Sequence, residues 1–556
     1  MAHNLLTEPL IRFETSDGLE RGSLPEVYAA LMADRVESFP ALRAHQEPAW
    51  HMFLAQLGAI ACHREGLSEP PADAGAWQKI ICRLTREAFP ADEPWCLVVD
   101  NWSKPAFLQP PVPEGVTLKD EPIIAPDALD MLITSRNHDL KQAVASASEA
   151  DDWLFALVSL QTMEGYGGGQ GKLQGIVRMS NAYASRFHIS LSPLDEKSRT
   201  DSATSGGKLR RDIWRMLQSR SALKKRFPVA CDSESGIALT WIVEWPEAQP
   251  LNISDLDIWF IEVCRRIRLS KNDRVVTART GGSKGKRISP LLNPESEKKS
   301  FLATGDFWAP LNRANGVPFH LNADNSMGYE VVVKLLGEDW ELPFSTVLDP
   351  SEIDARKNWL LVLAAVAHGQ NETGGFKFRV IPLKGRVARG LGPKRKELHQ
   401  LATEQISEIK KIKAVLTDAM GIFGRGGIYW SEIPKDNRNK EGERQCKRAH
   451  PYRDRLDDVA DREFFEALWK RFEAEQHGDT DDAEAARRAF LLPLIDTARD
   501  LLEEGLANIP CPSIRRPRAE ARARRWFRSQ LRGDKTGFPG LLDNAKPDEP
   551  EMTDAA

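Results

Sequence analysis

A glycine-rich stretch, residues 165–175, is the part of this sequence whose residue types most directly suggest a binding chemistry. Six of its eleven residues are glycine, in a chain with 38 glycines among 556 residues. Residues without a Cβ atom let another molecule approach the main chain, and their free N–H groups can form a concavity for an anion. A phosphate or the edge of a nucleic-acid groove fits that chemistry. The residues concerned are Gly165, Gly167, Gly168, Gly169 and Lys172.

The stretch matches no known mononucleotide-binding loop. Lys172 is followed by Leu173 rather than by Ser or Thr, which excludes a P-loop, and the glycine spacing fails the dinucleotide-binding fingerprint. A flexible surface loop with left-handed turns is the alternative interpretation of the same residues.

A polar cluster lies before the apolar run at residues 153–160. It contains Arg136, Asn137, His138 and Lys141, whose side chains could line a nucleic-acid surface. The alternative is an ordinary helix start, in which Asn137 or Asp139 provides the cap.

Two further loops carry suitable side chains. The segment 279–287 is short, basic and rich in glycine, and its Lys284 and Lys286 are suited to phosphates or to a groove. A second glycine-rich loop displays the amides of Gln370 and Asn371, which can read base edges but also cap turns. A solvated loop is the alternative for the basic segment.

The last helical segment, residues 517–531, belongs to a region with a strong excess of positive charge. Between Cys511 and Asp534, eight arginines are opposed only by Glu520 and Asp534. A solvated helix normally mixes the two signs, so we interpret this region as facing phosphates. The arginines proposed to contact phosphate are Arg522, Arg525 and Arg528.

Composition limits the class of protein. At 556 residues the chain is longer than one hydrophobic core usually supports, so we expect two or three domains. The net charge of −4 gives no support for nucleic acid by itself, and any basic surface must be local. Seven scattered cysteines without a C-x-x-C pair exclude a zinc finger and indicate reduced thiols. No apolar run is long enough to span a membrane, and we expect a soluble cytoplasmic protein without membrane partners.

The elements that must position these residues predict an α+β fold in two parts. We expect a large mixed α/β N-terminal domain over residues 1–388, a C-terminal four-helix bundle over 389–540 and a disordered acidic tail over 541–556. Ser23 is a candidate N-cap, and the almost wholly apolar segment 50–61 predicts a helix inside a domain.

Local patterns add more specific predictions. Segments 330–336 and 376–383 are typical of strands, and the charged segment 435–448 is typical of a connector between helices. We expect a kink at Pro493 in the third helix of the bundle. Within the bundle, apolar residues recur every four positions at Leu456, Ala460, Phe464, Leu468 and Phe472.

The sequence lacks the motifs of common enzyme classes. There is no H-E-x-x-H, G-x-S-x-G, P-loop, dinucleotide fingerprint or kinase signature. Carboxylates are plentiful, but no spaced pair stands out. We therefore expect a binding protein rather than an enzyme, with no cofactor and no metal site.

Several segments resemble the CasA family, the large subunit of the type I-E CRISPR Cascade, which is an RNA-guided surveillance complex. They are Asn4-Leu5-Leu6, Gly22-Ser23-Leu24-Pro25, the residues from Arg43 to Gln46 with the helix that follows, and Phe107-Leu108-Gln109. A large mixed domain followed by a helical bundle is also the order in that family. The resemblance extends to the glycine-rich stretch and is looser after residue 200.

The resemblance implies recognition of the protospacer-adjacent motif (PAM) in double-stranded DNA, largely from the minor-groove side. Gly168 matches the position that approaches the motif, and Lys286, or alternatively Lys284, matches the groove lysine of the family. Residues 136–141 occupy the place of its DNA-contacting loop, with different residues. Gln370-Asn371 lies where the wedge amide is expected, with a different local pattern.

The resemblance also implies partners. They are the target duplex, the Cascade subunits with their CRISPR RNA, and a helicase-nuclease or an HNH-bearing subunit that cleaves the target. The chain would start duplex unwinding for the R-loop, and the bundle arginines would hold the displaced or target strand. Two other functions stay open. One is a scaffold that contacts only guide RNA and neighbouring subunits, and the other is a metal-dependent nuclease with an unrecognised site.

Overall fold

The structure of the chain is a computed structural model. It describes residues 2–129, 148–163, 185–194, 205–226, 236–246, 249–272, 275–281, 287–289, 306–314, 316, 318–322, 326–343, 358–369, 372–533 and 538.

The chain folds into two compact units. The first unit runs to Met327 and resumes over Leu335–Pro393, whereas the second combines Gly328–Lys334 with the chain from Lys394 onward. The boundary expected after residue 388 falls inside a short helix of the first unit, Gly385–Gly390. The segment 328–334 is a part of the second unit that the sequence did not indicate.

Helices occur in both units. Their bounds are α1 Leu24–Met32, α2 Glu47–Arg64, α3 Ala74–Arg83, α4 Ala150–Thr162, α5 Ser205–Arg226, α6 Tyr329–Leu336, α7 Gly385–Gly390, α8 Arg395–Gly424, α9 Arg438–His477, α10 Thr480–Asn508 and α11 Arg516–Arg532. Among the described helices, none combines the length and the apolar character needed to cross a bilayer.

The described strands belong to the first unit. They are β1 Ala2–Asn4, β2 Ile11–Thr15, β3 Gly18–Gly22, β4 Cys96–Val98, β5 His188–Pro193, β6 Ile237–Leu239, β7 Leu251–Asn252, β8 Leu256–Ile261, β9 Arg266–Asn272, β10 Val275–Gly281, β11 Ile288–Ser289, β12 Leu311–Asn312, β13 Trp340–Glu341, β14 Asn358–Gly369 and β15 Glu372–Lys384. The largest described sheet has the antiparallel order β15-β14-β5. The strand predicted at 376–383 is therefore confirmed as part of β15.

The two N-terminal helices form where the sequence predicts them. Ser23 is the N-cap of α1, and its amide donates to Glu26 Oε2 at 2.7 Å, as in a capping box. In α2, every residue from Pro48 to Cys62 is buried except His51. A helix that is apolar on all sides must lie inside its domain, as was expected for residues 50–61.

The core of the first unit is built on large aromatic side chains. A buried tryptophan removes more apolar surface from water than any other side chain, so these residues fix how the helices and sheets meet. The fully buried tryptophans of this unit are Trp77, Trp95, Trp153, Trp241, Trp245, Trp259 and Trp308.

Four long helices, α8 to α11, make up most of the second unit. The apolar residues spaced every four positions along α9 are all buried, as the pattern predicts. Helix α10 continues through Pro493, which lies inside it. The expected α+β fold class is confirmed by these two units.

The strand predicted at 330–336 is wrong, because the segment forms helix α6. Its three consecutive valines favour a strand locally, but contacts with α9 favour the helix. The amide of Tyr329 donates to Asp461 Oδ1 at 2.7 Å, which places a carboxylate at the helix N-terminus. The Tyr329 ring also stacks on Phe464, with ring centroids 4.6 Å apart.

The connector predicted at 435–448 is also wrong over most of its length. Helix α9 begins at Arg438 and includes the charged residues that suggested a loop. Gln445 and Ala449 are buried, whereas the neighbouring Glu443, Arg444 and Lys447 are exposed. The charged residues that suggested a connector lie on the solvent-exposed face of this helix.

Candidate nucleic-acid interface

Most residues predicted to contact DNA lie outside the described residues. This applies to the glycine-rich stretch, the preceding polar loop, the basic loop and the amides at the tip of β14 and β15. The structure does describe the segments on either side of each loop. The residues outside it are Gly165, Gly167, Gly168, Gly169, Lys172, Arg136, Asn137, His138, Lys141, Lys284, Lys286, Gln370 and Asn371.

The entry to the glycine-rich stretch is held by one buried amide side chain, Gln161, at the end of α4. Its Nε2 donates to the carbonyl oxygens of Leu108 at 2.8 Å and Arg265 at 3.0 Å. Its Oε1 accepts from the amides of Cys264 at 3.0 Å and Arg265 at 2.8 Å. One side chain thus satisfies four backbone groups and fixes the end of α4 against two remote segments.

The residues on either side of the segment 164–184, which contains the glycine-rich stretch, are joined directly. The amide of Arg186 donates to the carbonyl of Met163 at 2.8 Å, so the chain leaves and returns at one point. The Arg186 guanidinium makes a two-pronged ion pair with Asp306, at 2.9 and 2.7 Å, and both side chains are buried. Two parallel N–H bonds from the planar guanidinium fix the orientation of the carboxylate as well as its distance.

The amide-bearing tip leaves the sheet next to this point. Ser185 Oγ accepts from the amide of Val366 in β14 at 2.7 Å, and the Ser185 amide donates to the Val366 carbonyl at 3.2 Å. The β14–β15 hairpin then extends to its tip at residues 370–371, with a register shift after Ala367. The exit of the glycine-rich stretch and the hairpin tip therefore arise at the same end of one sheet.

The basic loop starts close to the entry side. Gly281, the last residue described on this side of the loop, pairs with Arg266 in β9. Arg266 follows Arg265, which Gln161 contacts. A Cβ atom at Gly281 would lie 2.7 Å from the terminal methyl group of Leu118, so a larger residue there would require the Leu118 side chain to shift.

The far end of the basic loop is fixed by a buried arginine, Arg287. Its guanidinium donates to the carbonyl oxygens of Thr240, Val243 and Glu244, each at 2.6 Å. Burial lowers the pKa of Arg287 to about 9. The sequence suggested that this arginine was part of a DNA-facing basic segment, but the structure uses it as an internal anchor.

The hairpin of β9 and β10 rests on a second buried polar network. Gln109 accepts from the Leu269 amide at 2.7 Å and donates to the Leu97 carbonyl at 2.8 Å. Leu108, beside it, has a φ of 54°, a left-handed conformation that is costly for leucine. We infer that the surrounding hydrogen bonds hold this strained position, because both neighbouring side chains are fully buried.

Three of the four predicted loops thus start from anchors that are hydrogen-bonded to one another or are near neighbours along the chain. These loops are residues 164–184, 282–286 and 370–371. The fourth, residues 130–147, is attached at the opposite end of α4, where Ser148 Oγ accepts from the Trp153 indole at 3.1 Å. The 13 residues of α4 separate that attachment from the others by about 20 Å.

The bundle arginines differ among themselves. Arg525 and Arg528 are exposed on α11. Arg522 is half-buried, donates to the Gly427 carbonyl at 2.8 Å and lies over the Tyr429 ring at 4.7 Å. Arg524, between them, forms an ion pair with Glu503. Arg525 and Arg528 are therefore better exposed to a phosphate than Arg522.

Aromatic residues near these arginines were missed by the sequence analysis. After α8, Gly426 and Gly427 have φ values of 70° and 88°, and the chain turns back to present Tyr429 and Trp430. Tyr429 contacts Trp526 of α11, with ring centroids 5.9 Å apart. In the sequence, a Gly-Gly pair followed by two aromatic residues after an amphipathic helix could have indicated this aromatic surface.

No group of three His, Cys, Asp or Glu residues arranged to hold a metal ion occurs within the described ranges. His51, which could have suggested a metal, lies 2.8 Å from Asp212, and burial lowers its pKa to about 4. It is therefore neutral at physiological pH.

Comparison with known proteins identifies the fold. No protein-family model matches the sequence, and no curated protein sequence matches it significantly. Among solved structures, Cse1 from Thermobifida fusca is 15% identical with a TM-score of 0.57, and the match covers 95% of this chain and 97% of that one. Cse1 from Acidimicrobium ferrooxidans is 14% identical with a TM-score of 0.56, covering 95% and 97%. CasA (Cse1) from Thermus thermophilus is 13% identical with a TM-score of 0.55, covering 94% and 98%.

These similarities define the class of the molecule by its architecture. A chain of a CRISPR RNA-guided surveillance complex also matches, at 12% identity and a TM-score of 0.52, over 95% of this chain. The chain has the Cse1 (CasA) fold over nearly its whole length. The resemblance seen in the sequence is confirmed at the level of the fold.

Proposed function

We propose that this chain is the non-catalytic large subunit of a type I-E CRISPR Cascade complex. In that complex it recognises the PAM in double-stranded DNA, starts duplex unwinding for R-loop formation and presents a surface to the nuclease. Its partners are the target duplex, the Cascade subunits with their guide RNA, and a helicase-nuclease or an HNH-bearing subunit.

The observation that carries the proposal is the common origin of three loops with complementary chemistry. A glycine-rich segment, a basic segment and an amide-bearing tip leave from anchors linked through Gln161, Arg186 and Ser185. A minor groove offers few distinguishing groups, so a reader depends on close backbone approach and on fit. Rigid anchors supply that fit, because each is buried and hydrogen-bonded.

Each loop has its own task in the proposed mechanism. The backbone around Gly168 approaches the motif, and Lys284 or Lys286 neutralises phosphate beside the groove. Gln370 or Asn371 enters the duplex as a wedge. Unstacking one base step costs roughly a few kcal/mol, which phosphate contacts and pairing with the guide RNA offset.

The second unit holds a separated strand. Arg525 and Arg528 are exposed on α11 and can contact phosphates without strict geometry. Residues 136–141 contact the duplex from the attachment at the start of α4. The guide RNA reads the sequence by pairing, and a separate nuclease cleaves the target, so no catalytic group is needed in this chain.

The test is a Gly168→Asp variant in the assembled complex. An added carboxylate at the close approach repels phosphate and blocks the groove, so we expect PAM-dependent duplex binding to fall by at least about a hundredfold. Assembly of the complex should not change. Gly66→Asp is the matched control, because Gly66 has a φ of 67°, which Asp tolerates, and open space around its Cβ position.

Unchanged duplex binding by the Gly168→Asp complex would overturn the assignment of the glycine-rich loop. Loss of binding in both variants would point instead to a general effect of added negative charge on this unit.

A further inference from the structure

The second unit contains a cavity of about 870 Å³ between α8, α9 and α11. This lies within the range of small-molecule binding sites, about 300–1,000 Å³. Three aromatic residues line it: Tyr429, Trp430 and Trp526. Trp430 is 41% exposed, which is unusual for the largest apolar side chain and gives its ring access to solvent.

The aromatic residues are fixed in place by the Gly426-Gly427 turn. A Cβ atom at Gly426 would lie 2.9 Å from the Arg515 side chain, and one at Gly427 would lie 3.2 Å from the backbone of Ala519. The turn therefore fits closely against the start of α11. Both glycines also have a positive φ, so other residues there would be strained.

Positive charge dominates the wall of the cavity. Four cationic side chains line it, against the two carboxylates of Glu330 and Asp418. Asp418 accepts from Gln445 Nε2 at 2.7 Å, Glu330 lies 3.4 Å from Lys410, and Lys413 pairs with Asp457 just outside the wall. The wall therefore favours an anionic group.

Two hydrogen-bond donors in the wall have no partner among the described residues. They are Arg453 Nε and Trp526 Nε1, and both atoms are shielded from solvent. A buried donor without a partner costs free energy, and a bound ligand with acceptor atoms would satisfy it. Arg425, in contrast, is held by Gln445 and by the Ile428 carbonyl.

We propose that this cavity takes an unpaired nucleotide, with its base against the aromatic rings and its phosphate beside Arg453. Aromatic faces with adjacent cations are the combination that binds unstacked bases of single strands. The exposed Arg525 next to Trp526 in the sequence extends the contact to a neighbouring phosphate. The inference rests on the proposed function, because strand separation supplies the unpaired nucleotide.

The experiment is a photo-crosslinking scan of the assembled complex with its guide RNA and target duplex. Halogenated uracil, which crosslinks to aromatic side chains, is placed at successive positions in the displaced strand, the target strand or the guide RNA. Crosslinked peptides are then identified by mass spectrometry. We expect crosslinks to Tyr429, Trp430 or Trp526 from one or two adjacent positions of a single strand. Comparing the three labelled strands shows which of them occupies the cavity.

Two variants test the stacking directly. Trp430→Ala should reduce crosslinking from those positions to the remaining rings roughly tenfold, the scale of one lost base–aromatic stack. Trp430→Phe keeps an aromatic face and should restore most of the yield. If the Trp430→Ala variant does not fold, crosslinking of the unaltered chain and of the Trp430→Phe variant still tests the inference.

Permanganate reactivity of displaced thymines, measured in the same samples, reports R-loop formation. An R-loop without crosslinks to any of the three aromatic residues would overturn this inference and leave the proposed function standing. Absence of a PAM-dependent R-loop would overturn both.

Discussion

The two units contain arginines in different environments. In the first unit, Arg186 and Arg287 are buried and bind carbonyl or carboxylate groups of the protein itself. In the second, Arg525 and Arg528 are exposed along α11. These two arginines of the first unit are internal anchors, whereas these two arginines of α11 are surface charges.

The difference follows from what each unit is proposed to recognise. Reading a short motif requires backbone and amide groups held within a fraction of an ångström, so the supporting residues must be buried and fully bonded. Holding a single strand requires mainly charge, which acts over several ångströms and tolerates motion. Loss of an anchor should therefore affect selectivity, whereas loss of a surface arginine should affect only affinity.

The largest expected effect is on the Arg186–Asp306 pair. Arg186→Met leaves the buried Asp306 carboxylate without its guanidinium partner, and we expect the first unit to lose about 3–5 kcal/mol of stability. Arg524→Met in the second unit breaks a pair in which both side chains are more than one-third exposed, and should cost less than about 1 kcal/mol. Hydrogen exchange of the amides in β5 and in α11 measures the two effects. Equal losses of stability from the two substitutions would contradict the distinction between buried anchors and surface charges.

The next effect concerns Gln161. Gln161→Leu removes the partner of four backbone groups, and we expect a loss of about 2–3 kcal/mol, since each buried group left unbonded costs about 1–3 kcal/mol and relaxation recovers part of the total. PAM selectivity of the complex should fall at least about tenfold, because the glycine-rich and basic loops share this anchor.

The matched control is Gln405→Leu in the bundle. Gln405 is equally buried and donates to the Phe464 carbonyl. Its loss should destabilise the second unit and leave PAM selectivity unchanged. If Gln405→Leu reduced selectivity as much as Gln161→Leu, selectivity would follow general stability rather than the anchors.

A smaller effect is expected for the basic loop. With Lys284→Ala and Lys286→Ala combined, the slope of log affinity for duplex against log salt should become shallower by about 1.8, the value for two phosphate contacts. Affinity for the correct motif should fall with it. Lys79→Ala combined with Lys225→Ala removes two exposed lysines of the same unit and should leave the slope unchanged. Unaltered selectivity after loss of both loop lysines would favour the scaffold function.

The smallest effect is expected for α11. Arg525→Ala with Arg528→Ala should reduce the salt slope for single-stranded DNA by about 1.4 and leave PAM selectivity intact. Arg462→Ala with Lys470→Ala, on the exposed face of α9, is the charge-matched control. Loss of PAM selectivity in the α11 variant would mean that the second unit takes part in reading the motif.

The sequence correctly predicted helices whose pattern of apolar residues reflects which of their own residues are buried. Helix α2 and the buried face of α9 were found because apolar residues repeat at the helical period or fill the whole segment. The segment 330–336 was missed because Asp461 and Phe464, more than a hundred residues away, stabilise its helical form. Tertiary contacts outweighed the strand preference of its valines.

The anchors of the candidate interface could not be found in the same way. Gln161 bonds backbone groups near residues 108 and 264, and Arg186 pairs with Asp306, so no local spacing marks either residue. In contrast, Gly426-Gly427 followed by Tyr429-Trp430 is a local signal for an aromatic surface. This signal is less conspicuous than the glycine-rich stretch.

The most direct test of the proposed function is duplex binding by the Cascade complex with and without this chain, across a library of flanking motifs. If the chain reads the PAM, selectivity among motifs will disappear when it is omitted and return when it is added back. Selectivity that survives without the chain would contradict the proposal and would make the chain a scaffold.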